Sequence, residues 1–136
     1  LKGERKMAVK FLSKEWEAAM QKGLAEEFNT KSLVSAIFTQ IITNCPDGTP
    51  KWTRTVIEKG KYVSYTVGEG EPENDYVVAA EGDYEVHKGC VTGKIDGSQC
   101  ILTGQMKLKG NIAKGMSMLG TYSRMEEVEQ SIEVED

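Results

Sequence analysis

Residues 103–119 read TGQMKLKGNIAKGMSML, and the stretch changes its period in the middle. From Gln105 to Lys109 polar and apolar side chains alternate strictly. Met106 and Leu108 therefore face one way and three polar side chains the other, as in a half-buried strand held between Gly104 and Gly110. From Ile112 onward the spacing is helical. At about 100° per residue over 112–125, Ile112, Met116 and Leu119 share one line, with Met118, Tyr122 and Met125 on a second line beside it. Lys114, Ser117, Thr121 and Arg124 fill the opposite face.

That apolar face is wider than one sheet contact demands, and much of it is methionine, whose flexible side chain adapts to irregular shapes. Gly115 and Gly120 each cost about 1 kcal/mol of helix propensity relative to alanine and remove core volume. A helix that gives up packing beside soft side chains predicts a cavity. The alternative reading of Gly110–Ser117, GNIAKGMS, is a phosphate-binding loop. It fails because Met116 stands where the lysine that reaches the outer phosphates is required.

Upstream, Ser13 is an N-cap for a helix over 14–28, in which Trp16, Met20, Leu24 and Phe28 recur every four residues. Ala36 to Thr43 reads as a strand, closed by the turn NCPDGTP at 44–50. KWTRTVI at 51–57 and KYVSYTV at 61–67 form a hairpin around Glu58-Lys59-Gly60, and GEGEPEND at 68–75 is an exposed loop. Tyr76 to Ala80 is a short fourth strand. Asp83 opens a helix of about two turns through Val91, which Gly93 ends in a left-handed conformation.

The chain has 136 residues, 28% of them charged and 39% apolar, a globular balance for one domain of 11–136 behind a 1–10 extension. No apolar run approaches the roughly 20 residues that cross a bilayer, and LKGERKM lacks the apolar core of a signal peptide, so a cytoplasmic protein is expected. Cys45, Cys90 and Cys100 are odd in number and widely spaced, which reads as reduced thiols and not as a metal or redox pair. Six acidic residues and no Lys or Arg lie between Glu126 and Asp136, read as a solvated acidic tail. The rest of the chain is nearly neutral, with no basic field for nucleic acid.

In order along the chain, Phe11-Leu12-Ser13-Lys14-Glu15-Trp16, Asp75-Tyr76-Val77-Val78 with Tyr84-Glu85-Val86, Gly93-Lys94-Ile95-Asp96, and Thr103 to Asn111 before an apolar helix are similar to the sterol carrier protein type 2 family. These are the nonspecific lipid-transfer domains, and Phe11 to Trp16 resembles the opening helix of their stand-alone prokaryotic members. Gly97 and Cys100 depart from the family pattern, where Pro and Ala are usual, and Val134-Glu135-Asp136 does not resemble a peroxisomal address. The resemblance implies an α+β fold: a mostly antiparallel five-stranded sheet, helices covering one face, and an apolar tunnel between the layers for a fatty acyl chain, sterol or similar lipid.

On that reading the protein binds and carries a lipid, with no catalytic residues, metal or cofactor. Its ligand-binding residues are Phe38, Ile42, Met106, Leu108, Ile112, Met116 and Leu119. Phe38 and Ile42 rest on period-two alternation, and a one-residue slip would exchange them for Ile37 and Ile41. Transient membrane contact and a homodimer are compatible with it. Two competing classes are an interaction module using the wide face of the last helix, and a small enzyme acting on an apolar ligand. His87, the one histidine, is read as a surface or core side chain, and no Gly-x-Ser-x-Gly elbow is present.

Overall fold

A computed structural model of the chain describes residues 8–28 and 33–136; residues 1–7 of the expected extension lie outside the described residues. Helix α1 (Lys14–Glu27) starts where the Ser13 Oγ accepts the Trp16 amide at 3.1 Å, and it buries Trp16, Met20 and Leu24. Strands β1 (Ala36–Thr43), β2 (Lys51–Glu58) and β3 (Lys61–Glu69) follow as an antiparallel meander. Between β2 and β3, Lys59 and Gly60 take φ of 49° and 80°, the left-handed pair that a tight hairpin turn needs.

β4 (Val78–Asp83) leads directly into α2 (Tyr84–Val91), then α3 (Gly97–Thr103), β5 (Lys107–Gly110), α4 (Ile112–Ser117) and α5 (Leu119–Gln130). The strands stand in the order β3-β2-β1-β4-β5. The sheet is mixed, not mostly antiparallel as expected, because β1 and β4 run parallel, with Phe38 opposite Val78 and Ile42 opposite Gly82. The cause is the 70–77 connection. It returns from β3 to the far side of β1, and Arg54 holds it through Asp75, with Nη2 2.6 Å from Oδ2. Alternation of side chains fixes which face a residue occupies and leaves strand direction open.

Register sets the two faces. Phe38, Gln40 and Ile42 of β1 lie beside Thr55, Thr53 and Lys51 of β2 and beside Val78, Ala80 and Gly82 of β4. The Phe38 side of the sheet meets α1 and α5, which also pack on each other. A main apolar cluster under these helices gathers Trp16, Met20, Phe38, Ile42, Met118 and Met125. A smaller one holds Ala80, Cys90, Cys100 and Met106, with Leu108 against both.

Several elements differ from the sequence reading. The fourth strand, expected over 76–80, is Val78–Asp83, and the strand expected over 105–109 is Lys107–Gly110, so that Met106 precedes it. The helix expected over 112–125 is two helices, interrupted at Met118, whose φ of −108° and ψ of 12° leave the helical region. The spacer between Gly93 and Gly104 contains α3. There Asp96 Oδ1 accepts the Ser98 amide at 2.9 Å, and Gly104 closes the helix at φ 85°. The supposed solvated tail is also partly structural: residues 126–130 belong to α5, with Val128 and Glu129 buried, and Val134 forms a parallel bridge with Val9.

Candidate ligand site between sheet and helices

The expected lining residues do not all converge. Phe38 and Ile42 are buried in the main cluster, and the slipped pair Ile37 and Ile41 lies half-buried on the other side of the sheet. Met106 is buried in the smaller cluster, Leu108 is half-buried between the two, and Leu119 is half-buried at the start of α5. Ile112 and Met116 are 46% and 39% exposed and face away from the interior. The reason lies in Gly115. It takes the inward position on α4, where a Cβ would stand 2.7 Å from Val78 Cγ2, so α4 sits close on β4 with its larger side chains outward. Of the two lines drawn on the last helix, the interior one is Met118, Tyr122 and Met125, and Thr121, placed on the polar face by spacing, is buried with them.

A polar seam crosses this apolar interior. Thr53 Oγ1 donates to Gln40 Oε1 at 2.7 Å, and Gln40 Nε2 donates to Glu129 Oε2 at 3.4 Å. Nearby, Trp16 Nε1 donates to Tyr65 OH at 3.0 Å. Glu129 is 2% exposed and Tyr122 8%. Glu129 Oε1, Glu126 Oε2 and the Tyr122 hydroxyl are buried and have no hydrogen-bond partner among the described residues.

Burial, with Glu126 adding repulsion, pushes the Glu129 carboxyl up to about 8. Burial and the charge of Asp96 push the half-buried Glu126 up to about 7. Burial raises the Tyr122 and Tyr65 hydroxyls far above the ordinary phenol range. Sequence reasoning missed this seam, although both halves left a trace. Gln40 keeps the parity of Phe38 and Ile42, and Glu129 falls seven residues after Tyr122, on its helical stripe.

Elsewhere the titratable groups are held by packing. His87 is buried with Nε2 3.2 Å from the Ile41 carbonyl, and burial drops its value to about 4. Cys90 and Cys100 are buried free thiols with sulfurs 4.0 Å apart, and burial pushes Cys90 up strongly. Among the described residues no group of three or more His, Cys, Asp or Glu side chains is placed to hold a metal ion. Nor is any described helix long and apolar enough to cross a membrane. A surface cleft of about 710 Å³ lies between Lys88, Lys94, Gln130 and Val134, and another of about 470 Å³ between α1 and residues 131–133. Neither is lined by the expected tunnel residues.

This architecture, a five-stranded mixed sheet with helices packed on one face and an apolar interlayer, matches solved structures. A crystal structure of sterol carrier protein 2 superposes with a TM-score of 0.78 at 14% identity, over 90% of this chain and 99% of that one. The conserved hypothetical protein TT1886 of Thermus thermophilus gives 0.79 at 15% identity, over 96% and 94%. Palmitated SCP2L2 of Aedes aegypti gives 0.53 at 15% identity, over 95% and 100%. No family model matches the chain, and no curated protein does either. The chain has the sterol carrier protein 2 fold.

Proposed function

We propose that this protein binds a lipid-like apolar ligand between its sheet and its helices and carries it through the cytoplasm. The observation that carries the reading is the change from exposed to buried apolar side chains across the helix break at Met118. Ile112 and Met116 lie open to water on α4, while Met118 at the break and Met125 on α5 are core. An acyl chain moving along that path exchanges water for soft apolar side chains, with about 0.8 kcal/mol gained per buried CH2. The solved structures of the same fold, one of them palmitated, support the reading by analogy. Binding, not chemistry, is the proposed mode, and the ring of His87, buried against the Ile41 carbonyl, fits that. Free, closely spaced Cys90 and Cys100 fit a reducing compartment.

The test is titration of delipidated protein with a neutral, environment-sensitive fluorescent alkyl probe, followed by the rate of probe uptake from vesicles. Saturable micromolar binding is expected, with uptake slowed severalfold by Ile112→Asp with Met116→Asp, a change the exposed α4 tolerates in folding. Absence of saturable binding overturns the proposal. Mass that rises with concentration in that case favours the same surface as a protein interface.

A further inference from the structure

The polar seam has a chemical sense of its own. Tyr122, Glu126 and Glu129 stand at i, i+4 and i+7 on α5 and so form one stripe. The Glu126 carboxylate and the Tyr122 ring both crowd Gly97, where a Cβ would lie 2.2 Å from Glu126 Oε2 and 3.0 Å from Tyr122 Cε2. Gln40 reaches the stripe from the sheet through Glu129. Three oxygens on this stripe are buried without a partner. Unpaired buried oxygens of this kind carry a desolvation cost, and here they lie together in an otherwise apolar interlayer.

We propose that Tyr122, Glu126 and Glu129, backed by Gln40, receive the ammonium head of a long-chain amine. The proposal rests on the lipid reading and names the ligand's polar end. Ionised carboxylates only accept and the Tyr122 hydroxyl can accept as well, so a head rich in hydrogen-bond donors satisfies all three orphan oxygens together. An ammonium brings three, an alcohol one, and a carboxylate or phosphate brings acceptors and like charge.

The surrounding groups add no competing cation. Glu129 is influenced by Glu126 and Tyr122 on its own helix, Gln40 on β1, Tyr65 on β3 and Cys90 on α2, and Glu126 by Asp96 before α3. No described ion pair involves either carboxyl. With its value near 8, Glu129 is mostly protonated at neutral pH, and the charge of an arriving ammonium favours release of that proton to water, leaving a buried, hydrogen-bonded ion pair.

Calorimetric titration of the delipidated protein with dodecylamine, dodecanol and dodecanoate at neutral pH separates the possibilities. The amine is expected to bind about tenfold tighter than the alcohol, with the carboxylate weakest. In Glu129→Gln the amine-to-alcohol ratio should fall to near one. Glu126→Gln, at a half-exposed site tolerant of change, should lower it severalfold and serves if the first variant does not fold. Equal binding of amine and alcohol, or preference for dodecanoate, overturns the head assignment and leaves the lipid reading standing. Failure of all three ligands to bind overturns both.

Discussion

Gln40 on the central strand and Glu129 near the end of α5, 89 positions apart, meet side chain to side chain at 3.4 Å inside the protein. Thr53 holds the other end of the Gln40 amide at 2.7 Å, so one side chain ties two strands to the last helix. Such a connection is specific because a buried amide can be satisfied in few ways, whereas apolar contacts tolerate sliding.

The carboxyls and His87 set the pH dependence of stability. Glu129 is raised from the ordinary 4.5 to about 8, so its contribution is full below pH 4.5 and is lost as pH rises toward 8. Glu126, raised to about 7, acts in the same sense more weakly because it is half-exposed. His87 is lowered from 6.5 to about 4, so its contribution is present above pH 6.5 and is lost as pH falls toward 4. Between pH 4.5 and 6.5 the two kinds oppose; above 6.5 only the loss remains. Urea unfolding should show stability declining from pH 6.5 to 8 at roughly 1 kcal/mol per pH unit, with Glu129→Gln flattening the decline. Equal wild-type stability at both ends would remove the basis for a protonated Glu129.

Gly110 and Gly104 both have left-handed backbones, at φ 91° and 85°, in very different surroundings. A Cβ at Gly110 would lie 2.6 Å from the Val77 carbonyl oxygen, and at Gly104 nothing stands within 4 Å. Gly104→Ala should cost about 1 kcal/mol and Gly110→Ala at least twice that, read as melting temperatures of the two variants. Equal costs would mean that the β5–α4 junction is loose enough to make room for a methyl group.

Trp16 donates its indole N–H to the buried Tyr65 hydroxyl across 49 positions of sequence. Trp16→Phe should destabilise by about 1–3 kcal/mol through lost volume and an unpaired hydroxyl. A double-mutant cycle with Tyr65→Phe isolates the hydrogen bond, with a coupling of about 1 kcal/mol expected.

Met106 and Met116 are equal candidates by spacing and unequal in the fold. Met106 is 1% exposed and Met116 39%. Chemical denaturation should give about 2–4 kcal/mol for Met106→Ala and under about 1 kcal/mol for Met116→Ala. A large loss at Met116 would put α4 the other way round.

The sequence makes α1, the first three strands and β5 legible, because each carries an unbroken period and a turn or cap at its limits. Ser13, Gly60, Gly93 and Gly110 all act where their chemistry predicts. The last helix is legible as apolar but not as interrupted. A capping asparagine, Asn111, marks its start, accepting the Lys114 amide at 3.0 Å, while no residue of known cap chemistry marks the break at Met118. α3 escapes because seven residues with Gly97 and Cys100 as their buried side are too short and too small for a hydrophobic period, although Asp96 signals its start. The seam escapes for another reason. Gln40 and Glu129 are polar residues inside apolar stripes, and Glu129 sits in an acidic run whose composition reads as solvated. Burial there is decided by the partners across the interlayer, which no local window contains.

The bridge between Val9 and Val134 has a consequence in time. Val9 donates its amide to the Glu133 carbonyl at 3.0 Å and accepts from the Glu135 amide at 2.9 Å, so the segment leading into Phe11 and α1 has part of its partner far later in translation. At about 5–20 residues per second, the Val9 segment waits roughly 6–25 s on the ribosome before residue 134 exists. The first four strands all precede residue 134 in the chain, so this clasp is the last of these pairings to find its partner.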